Sequence, residues 1–196
     1  EPGALSLGEA ETILDGLPAA GVHNGGRIAF GPDGMLYVTA GDANDRASAQ
    51  SLDALSGKIL RLTPSGDVPD DNPFAGSPVY SYGHRNSLGL IVHPVTGALW
   101  NTENGPNGGD EINIVHAGRN YGWPTVTYGR GYDGAVLAEN PLAAGMEPPL
   151  VYWVPSIGPS GLAVYTGDRF PTWKNNVFVG SVRRGQIPGT GSLERV

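Results

Sequence analysis

Two glycine-rich segments, residues 83–89 and 103–111, contain a dense set of side chains that could carry out chemistry. In the first, Arg85 and Asn86 offer a planar guanidinium next to a carboxamide. Such a pair suits a carboxylate, or a carbonyl oxygen that becomes negative during a reaction. The alternative is an arginine that forms an ordinary ion pair on a surface turn. The neighbouring glycine-rich loop and the acidic chain favour the anion site.

The second segment contains a candidate cation site around Gly105–Pro106 and Asp110–Glu111. Calcium takes oxygen ligands, including backbone carbonyls, in a flexible geometry. Glycine leaves its carbonyl accessible, and proline removes a competing N–H donor. The segment lacks the alternating Asp and Asn ligands of an EF-hand loop, and its alternative is a plain turn with solvated carboxylates. Together, the two segments suggest an anionic cofactor held with a metal.

His23 and Asp42 form a second candidate pair. His23 precedes a predicted strand among glycines that let a substrate approach, which makes it a candidate general base. Asp42 follows the second strand of the same predicted hairpin. Because the two ends of a hairpin lie close together, its carboxylate could orient the imidazole and raise its basicity. The alternatives are a histidine hydrogen-bonded in a turn and a carboxylate that caps a turn.

The remaining polar and aromatic candidates are less specific. Arg183 and Arg184 form a second positive pair, either another contact for an anion or part of a solvated turn. The aromatic segments 121–124 and 153–156 would line a flat ligand or simply pack. Three further histidines are interpreted as structural: His84, His93 and His116.

Charge and composition exclude several classes of function. The formal net charge of −7 argues against nucleic acid or an anionic membrane as the main partner. No apolar run approaches the roughly 20 residues of a spanning helix, so no membrane span is predicted. The chain has no cysteine, which excludes disulfides, zinc thiolates and thiol nucleophiles. A hydrophobic content of 39% is enough for a core.

A strand–turn–strand pattern occurs three times, at residues 26–39, 89–102 and 161–180. Turn residues separate two apolar runs in each copy, and strand periodicity dominates the chain. Repeats about 60 to 70 residues apart predict an all-β fold of the β-propeller type. A β-sandwich with coincidental hairpins is the alternative.

Long loops are predicted between these hairpins, and loops of this kind often carry function. The nearest approach to helical spacing is at residues 47–55, interpreted as a helical turn or an irregular loop. The predicted loops cover residues 40–57, 64–80, 104–120 and 124–160.

Three repeats do not close a propeller, which typically has four to eight blades. Residues 189–196 have the pattern of a strand that is just beginning. We therefore expect residues 1–196 to form a single propeller domain that covers only part of the ring.

Several motifs in this order resemble the soluble, PQQ-dependent aldose sugar dehydrogenases of the glucose/sorbosone dehydrogenase family. Each motif is weak alone, but jointly they are specific and span about residues 20–185. They are His-Asn-Gly-Gly-Arg, Gly-Pro-Asp-Gly, Gly-His-Arg-Asn, Gly-Pro-x-Gly-Gly-Asp-Glu, Asn-Tyr-Gly-Trp-Pro and Pro-Ser-Gly-Leu-Ala, where x is Asn107 in this chain.

The resemblance implies a six-bladed propeller that binds pyrroloquinoline quinone (PQQ) on its axis together with Ca²⁺. It implies that aldose sugars are oxidised to lactones, with His23 taking the proton of the anomeric hydroxyl while hydride passes to the quinone. Asp42 matches the carboxylate that supports this histidine. Arg85 and Asn86 match the pair that contacts PQQ and stabilises its developing negative charge.

The resemblance also assigns the metal ligands and further cofactor contacts. Gly105 and Pro106 match carbonyl ligands of the active-site calcium, and Glu111 and Tyr121 match ligands of a second, structural calcium. Two further residues fall where the family contacts the cofactor: Ser156 and Arg183. A bacterial periplasmic or secreted location follows from the same resemblance, and the sequence leaves the electron acceptor open.

Two other functions stay open at this point. One is a non-catalytic propeller module that binds sugar or protein. The other is a calcium-dependent propeller lactonase, which would need several side-chain carboxylates and amides around one central metal. The Gly105–Pro106 loop instead favours carbonyl ligation with a cofactor completing the metal's shell.

Overall fold

The computed structural model describes residues 8–196, and its regular structure in this part of the chain is mainly antiparallel β-sheet. The first sheet contains β1 (Gly25–Phe30), β2 (Leu36–Ala40), β3 (Lys58–Leu62) and β4 (Val79–Tyr82). The second contains β5 (Ser87–Val92), β6 (Leu99–Glu103), β7 (Asp110–Val115) and β8 (Val151–Trp153). The third contains β9 (Pro159–Val164), β10 (Val177–Ser181) and β11 (Ser192–Arg195).

Each sheet is a meander in which strands pair in chain order. The first strands of the three sheets lie side by side, since β5 contacts both β1 and β9. Consecutive meanders with neighbouring first strands are the arrangement expected of β-propeller blades. The all-β prediction is therefore confirmed.

The three predicted hairpins are present as β1–β2, β5–β6 and β9–β10. The prediction of uninterrupted loops at 104–120 and 124–160 was wrong, because these ranges contain β7 and β8. Strand β7 begins with two acidic residues, a composition more typical of a loop. Strand β8 has only three residues, too few to show a strand pattern. The final sheet does include a strand in residues 189–196, as predicted.

Helical structure in the described residues is limited to two 3₁₀ segments, Arg46–Gln50 and Pro171–Trp173. The first confirms the short helical turn that was one of the two alternatives predicted for residues 47–55. No helix in residues 8–196 is long and apolar enough to cross a membrane.

Apolar side chains pack between neighbouring sheets rather than within one of them. One cluster joins the first and second sheets through residues such as Tyr37, Ile59 and Leu90. A second cluster joins the second and third sheets through Ile112, Val177 and Val179. These interfaces fix the three sheets against one another, so loops at the same end of different sheets meet in a defined geometry.

Candidate active site

A cavity of about 330 Å³ lies among the loops that connect the three sheets. Three predicted site residues do not line this cavity: Asp42, which is hydrogen-bonded to the lining residue His23, and Glu111 and Tyr121, which lie in another part of the fold. The predicted residues that line it are His23, Arg85, Asn86, Gly105, Pro106, Asp110, Ser156 and Arg183. Residues separated by up to 160 positions in the chain therefore share one concave surface.

The first hairpin brings His23 and Asp42 together. Strand β1 pairs with β2 from Gly25 opposite Ala40, so His23 and Asp42 flank the same hairpin end. His23 Nδ1 lies 2.8 Å from Asp42 Oδ1, and the Asp42 side chain is fully buried. His23 has a positive φ of 58°, a conformation that few non-glycine residues adopt. The backbone is thus held in an uncommon state where the imidazole faces the cavity.

Asp42 is surrounded by hydrogen-bond donors. Burial alone would raise the pKa of its carboxyl, but hydrogen bonds from His23, the Asn44 amide and the Trp123 indole outweigh burial and lower it. The carboxylate is therefore ionised at neutral pH and accepts the Nδ1–H of His23. In the neutral imidazole this contact selects the tautomer with the proton on Nδ1, which leaves the Nε2 lone pair for a general base.

Close backbone approach at Gly41 sets the position of His23. A Cβ added at Gly41 would collide with the His23 carbonyl oxygen, whereas Gly21 has open space around it. We expect Gly41→Ala to lower the free energy of unfolding by roughly 1–3 kcal/mol through overpacking. Gly21→Ala is the matched control and should change it by less than about 0.5 kcal/mol. Urea titrations of both variants test this, and equal stabilities would contradict the assigned contact.

Arg85 is buried beside the cavity and holds the Gly105 loop. Its Nη1 donates to the carbonyls of Asn104, at 2.9 Å, and Gly105, at 2.6 Å. Its Nη2 lies 3.4 Å from the Tyr132 hydroxyl. The buried Nε has no hydrogen-bond partner among the described residues. An orphaned donor on a buried cation is a feature that an anionic ligand would satisfy.

Both the oxygen and the nitrogen of the Asn86 side-chain amide form hydrogen bonds within the protein. Its oxygen accepts from the Gly25 amide at 3.2 Å, and its nitrogen donates to the Asn104 side-chain oxygen at 3.2 Å. Asn104 in turn donates to the Pro159 carbonyl at 2.9 Å. This chain of amides links all three sheets around the cavity.

Asp110 connects the Gly105–Pro106 loop to the segment before β9. Its carboxylate accepts hydrogen bonds from the Gly105 amide, the Ser156 hydroxyl and the amides of Ile157 and Gly158. Burial raises its pKa, although these hydrogen bonds act in the opposite direction. Ser156 is also 3.4 Å from the Pro106 carbonyl. The predicted cofactor contact and the predicted carbonyl ligands thus belong to one network.

Arg183 lines the cavity from the third sheet and is exposed. Its side chain makes no hydrogen bond to any residue in the part of the chain that the structure describes, which leaves its guanidinium available to an anion. Backbone hydrogen bonds hold the segment in place, including one from the Arg183 amide to the Ile157 carbonyl at 3.1 Å.

Glu111 and Tyr121 lie away from this cavity: Glu111 is buried in β7, and Tyr121 is buried in the segment that follows β7. Strand pairing places Glu111 opposite Glu103 and Asn113 opposite Asn101. Burial raises the pKa of Glu111 well above its usual range, and the charge of Glu103 raises it further. The side-chain oxygens of Asn101 and Asn113 are buried and have no donor among the described residues. Two carboxyl groups and two amide oxygens are therefore close together on these paired strands, and His84 contacts the cluster through Glu103 at 2.8 Å.

Tyr121 has its phenol engaged already. Its hydroxyl donates to the Ile114 carbonyl at 2.7 Å and accepts from the His116 amide at 2.8 Å. Its ring stacks on His84, which is bonded to Glu103. A ligand role for Tyr121 would therefore use its backbone carbonyl. The described residues contain no group of three or more His, Cys, Asp or Glu side chains arranged to hold a metal.

Tyr132 and Asn104 are among the cavity-lining residues that the sequence did not predict as site residues. Tyr132, whose side chain is mostly exposed, lines the cavity beside Arg85. It lies in a predicted loop, where its only signal was an aromatic residue within a glycine-rich turn. Asn104 was missed because its links to Asn86 and Pro159 depend on the packing of three sheets. His84, interpreted as structural, is fully buried between Ser81 and Glu103.

The family model for glucose/sorbosone dehydrogenases matches residues 3–190. The chain belongs to this family. Aldose sugar dehydrogenase YliI of Escherichia coli is 45% identical over 181 residues, which cover 88% of this chain and 49% of that protein. This member of the glucose/sorbosone dehydrogenase family thus spans about half the length of that relative.

Solved structures of family members show the same relationship. The apo form of the soluble aldose sugar dehydrogenase from Escherichia coli is 40% identical, with a TM-score of 0.81 over 91% of this chain and 55% of that one. The PQQ-bound aldose sugar dehydrogenase from Streptomyces coelicolor is 36% identical, with a TM-score of 0.72 over 95% of this chain and 52% of that one.

Proposed function

We propose that this chain forms part of a six-bladed β-propeller that oxidises aldose sugars to lactones, using PQQ and Ca²⁺. The observation that carries the proposal is the convergence of His23, oriented by buried Asp42, and Arg85, with its orphaned Nε, on one cavity. A relative with PQQ bound in its structure supports the choice of cofactor. The family's sugar dehydrogenases support the substrate class.

The donor set fits an anionic cofactor. Arg85 and Arg183 bring two guanidinium groups to the cavity of a chain with a formal net charge of −7. Arg85, Arg183, Asn86 and Ser156 would hold PQQ, although Asn86 acts largely through the loops that it ties together. When bound, PQQ accepts hydride from the sugar, and Ca²⁺ acts as a Lewis acid that favours this transfer.

His23 would remove the proton that the sugar must lose. Its Nε2 accepts the proton of the anomeric hydroxyl as C1 becomes the carbonyl carbon of the lactone. The ionised Asp42 stabilises the resulting imidazolium through the 2.8 Å contact to Nδ1. Arg85 supplies fixed positive charge where negative charge develops on the oxidant.

Two calcium sites are part of the proposal. Gly105 and Pro106 line the cavity, and their carbonyls would hold the first ion beside the cofactor. Glu111 and the Tyr121 carbonyl would hold the second, for which the buried carboxylates and unpaired amide oxygens supply a suitable environment. The second ion would neutralise a buried carboxylate and stabilise the fold.

This structural role predicts a calcium effect that depends on Glu111. In wild type, saturating Ca²⁺ should raise the melting temperature, with about 2.7 kcal/mol of stabilisation at 100 times the dissociation constant. Glu111→Gln should lose most of that increase while remaining folded in chelator, because glutamine is a neutral side chain of similar size at a site where burial disfavours the ionised carboxylate. Glu139→Gln, at an exposed position, is the control. Calorimetry with and without Ca²⁺ measures both effects, and an undiminished calcium response in Glu111→Gln would remove this residue from the site.

The proposed function is tested by reconstitution with PQQ and Ca²⁺, followed by aldose-driven reduction of a redox dye. Sugar- and PQQ-dependent turnover is expected, with a lactone as product. Failure to bind PQQ would overturn the proposal for this chain. Sugar binding without turnover would favour a binding module, and lactone hydrolysis without PQQ would favour a lactonase. A periplasmic or secreted location in a bacterium is proposed with this activity.

A further inference from the structure

Trp123 is a buried residue that lies between the two halves of the proposed site. Its side chain is 3% exposed, and its Nε1 donates to Asp42 Oδ2 at 2.8 Å. Its backbone is fixed on both sides: the amide donates to the Gly83 carbonyl at 2.9 Å, and the carbonyl accepts from Gln50 at 2.7 Å. The indole therefore reaches the first sheet from the segment that follows β7, with little freedom to move.

The two oxygens of Asp42 have different partners. Oδ1 lies 2.8 Å from His23 Nδ1 and accepts from the Asn44 amide at 2.8 Å. Oδ2 accepts from Trp123, which is its one hydrogen-bond donor among the described residues. The indole consequently sets the rotation of the carboxylate plane. That rotation decides whether Oδ1 points at the imidazole.

The same indole supports the guanidinium of Arg85. The Arg85 Cζ lies 5.2 Å from the ring centroid of Trp123, within the range of a cation–π contact. The Arg46 Cζ lies 5.5 Å from the same centroid. The edge of Trp123 therefore contacts the carboxylate behind His23, and its ring contacts the cation that faces the cavity.

We propose that Trp123 is a positioning residue that acts on both groups by two separable contacts. Its N–H holds Asp42 so that His23 keeps its proton on Nδ1 and a free Nε2. Its aromatic ring holds Arg85 against the Gly105 loop. The role of His23 as the base rests on the proposed function, whereas the orientation of its ring by Trp123 does not.

A pair of substitutions separates the two contacts. Trp123→Phe removes the N–H and retains an aromatic ring, whereas Trp123→Leu removes both. Trp100→Phe is a matched control, because the buried Trp100 Nε1 has no hydrogen-bond partner in residues 8–196. The tautomer of His23 is read by long-range ¹H–¹⁵N NMR at neutral pH, without cofactor or substrate. Binding of PQQ with Ca²⁺ at fixed concentration is measured separately.

Wild type and Trp100→Phe should show His23 with Nδ1 protonated. Trp123→Phe should show a mixture of tautomers, a kcat lowered about 10-fold or more, and a PQQ dissociation constant within about threefold of wild type. Trp123→Leu should in addition weaken PQQ binding about 10-fold. If His23 keeps the wild-type tautomer in Trp123→Phe, the role proposed for the contact between Trp123 and Asp42 is wrong. Equal PQQ binding in the Phe and Leu variants would overturn the contact to Arg85.

Two further outcomes are informative. If Trp123→Phe does not fold, the proposal is tested by hydrogen exchange of the indole N–H of Trp123 in wild type. Protection comparable to that of the β2 amides supports the proposal, and rapid exchange overturns it. If wild type binds PQQ but oxidises no sugar, the proposed function is wrong. The tautomer measurement still tests whether Trp123 orients Asp42 and His23.

Discussion

Replacing His23 with asparagine is expected to lower kcat for aldose oxidation by about 10²- to 10⁴-fold, the usual contribution of a positioned general base. Asparagine is the suitable substitute because it tolerates the positive φ of 58° at this position and cannot accept a proton at neutral pH. PQQ binding and the melting temperature should change little, since the cofactor contacts proposed here lie on other residues. Dye-coupled kinetics at saturating sugar, with PQQ affinity measured in parallel, tests this.

The control for this variant is His116→Asn. His116 is exposed, and it lies outside the cavity. Its substitution should leave kcat within about twofold of wild type, in keeping with the usual effect of surface changes. A His23→Asn variant with wild-type kcat would show that another group removes the proton. A loss of kcat that is matched by a loss of PQQ binding would instead indicate a distorted pocket.

Arg85→Lys is expected to raise the dissociation constant for PQQ by about 10- to 100-fold. Lysine keeps the positive charge but loses the planar guanidinium. In Arg85, Nη1 of that group donates to two carbonyls, and its Nε has no hydrogen-bond partner among the described residues. One lost charge-assisted hydrogen bond costs about 1.5–3 kcal/mol, which corresponds to this range of affinity. Calorimetric titration of PQQ at fixed Ca²⁺ measures the change directly.

The matched control is Arg119→Lys. Arg119 is largely exposed and pairs with Glu147 at 3.4 Å, a surface ion pair of small energetic value. Its substitution should leave PQQ affinity unchanged. If Arg85→Lys also binds PQQ as wild type does, Arg85 acts only as a brace for the Gly105 loop. A lowered melting temperature with unchanged affinity would point to the same conclusion.

Local chemistry made the hairpins and the sites of the loops predictable. The turn in residues 31–34 and the apolar runs on either side of it specify β1 and β2 without help from the rest of the chain. The hairpin geometry then brought His23 and Asp42 to one end, where their side chains are in contact. Strands β7 and β8 escaped prediction because they depend on pairing, of β7 with β6 and of β8 with β7, more than on their own composition.

The sequence by itself determined the fold class, the family motifs and the residue types that face the cavity. Only the tertiary structure decided which buried groups hydrogen-bond to the cavity residues and hold them in position. Trp123 and Asp42 are 81 residues apart, and Asp110 and Ile157 are 47 residues apart, yet each pair shares a hydrogen bond of 2.7–2.8 Å. Turn and strand preferences act over a few neighbouring residues, whereas these contacts exist only because separate sheets pack against each other. No local pattern could have revealed that one indole serves both the carboxylate of Asp42 and the guanidinium of Arg85.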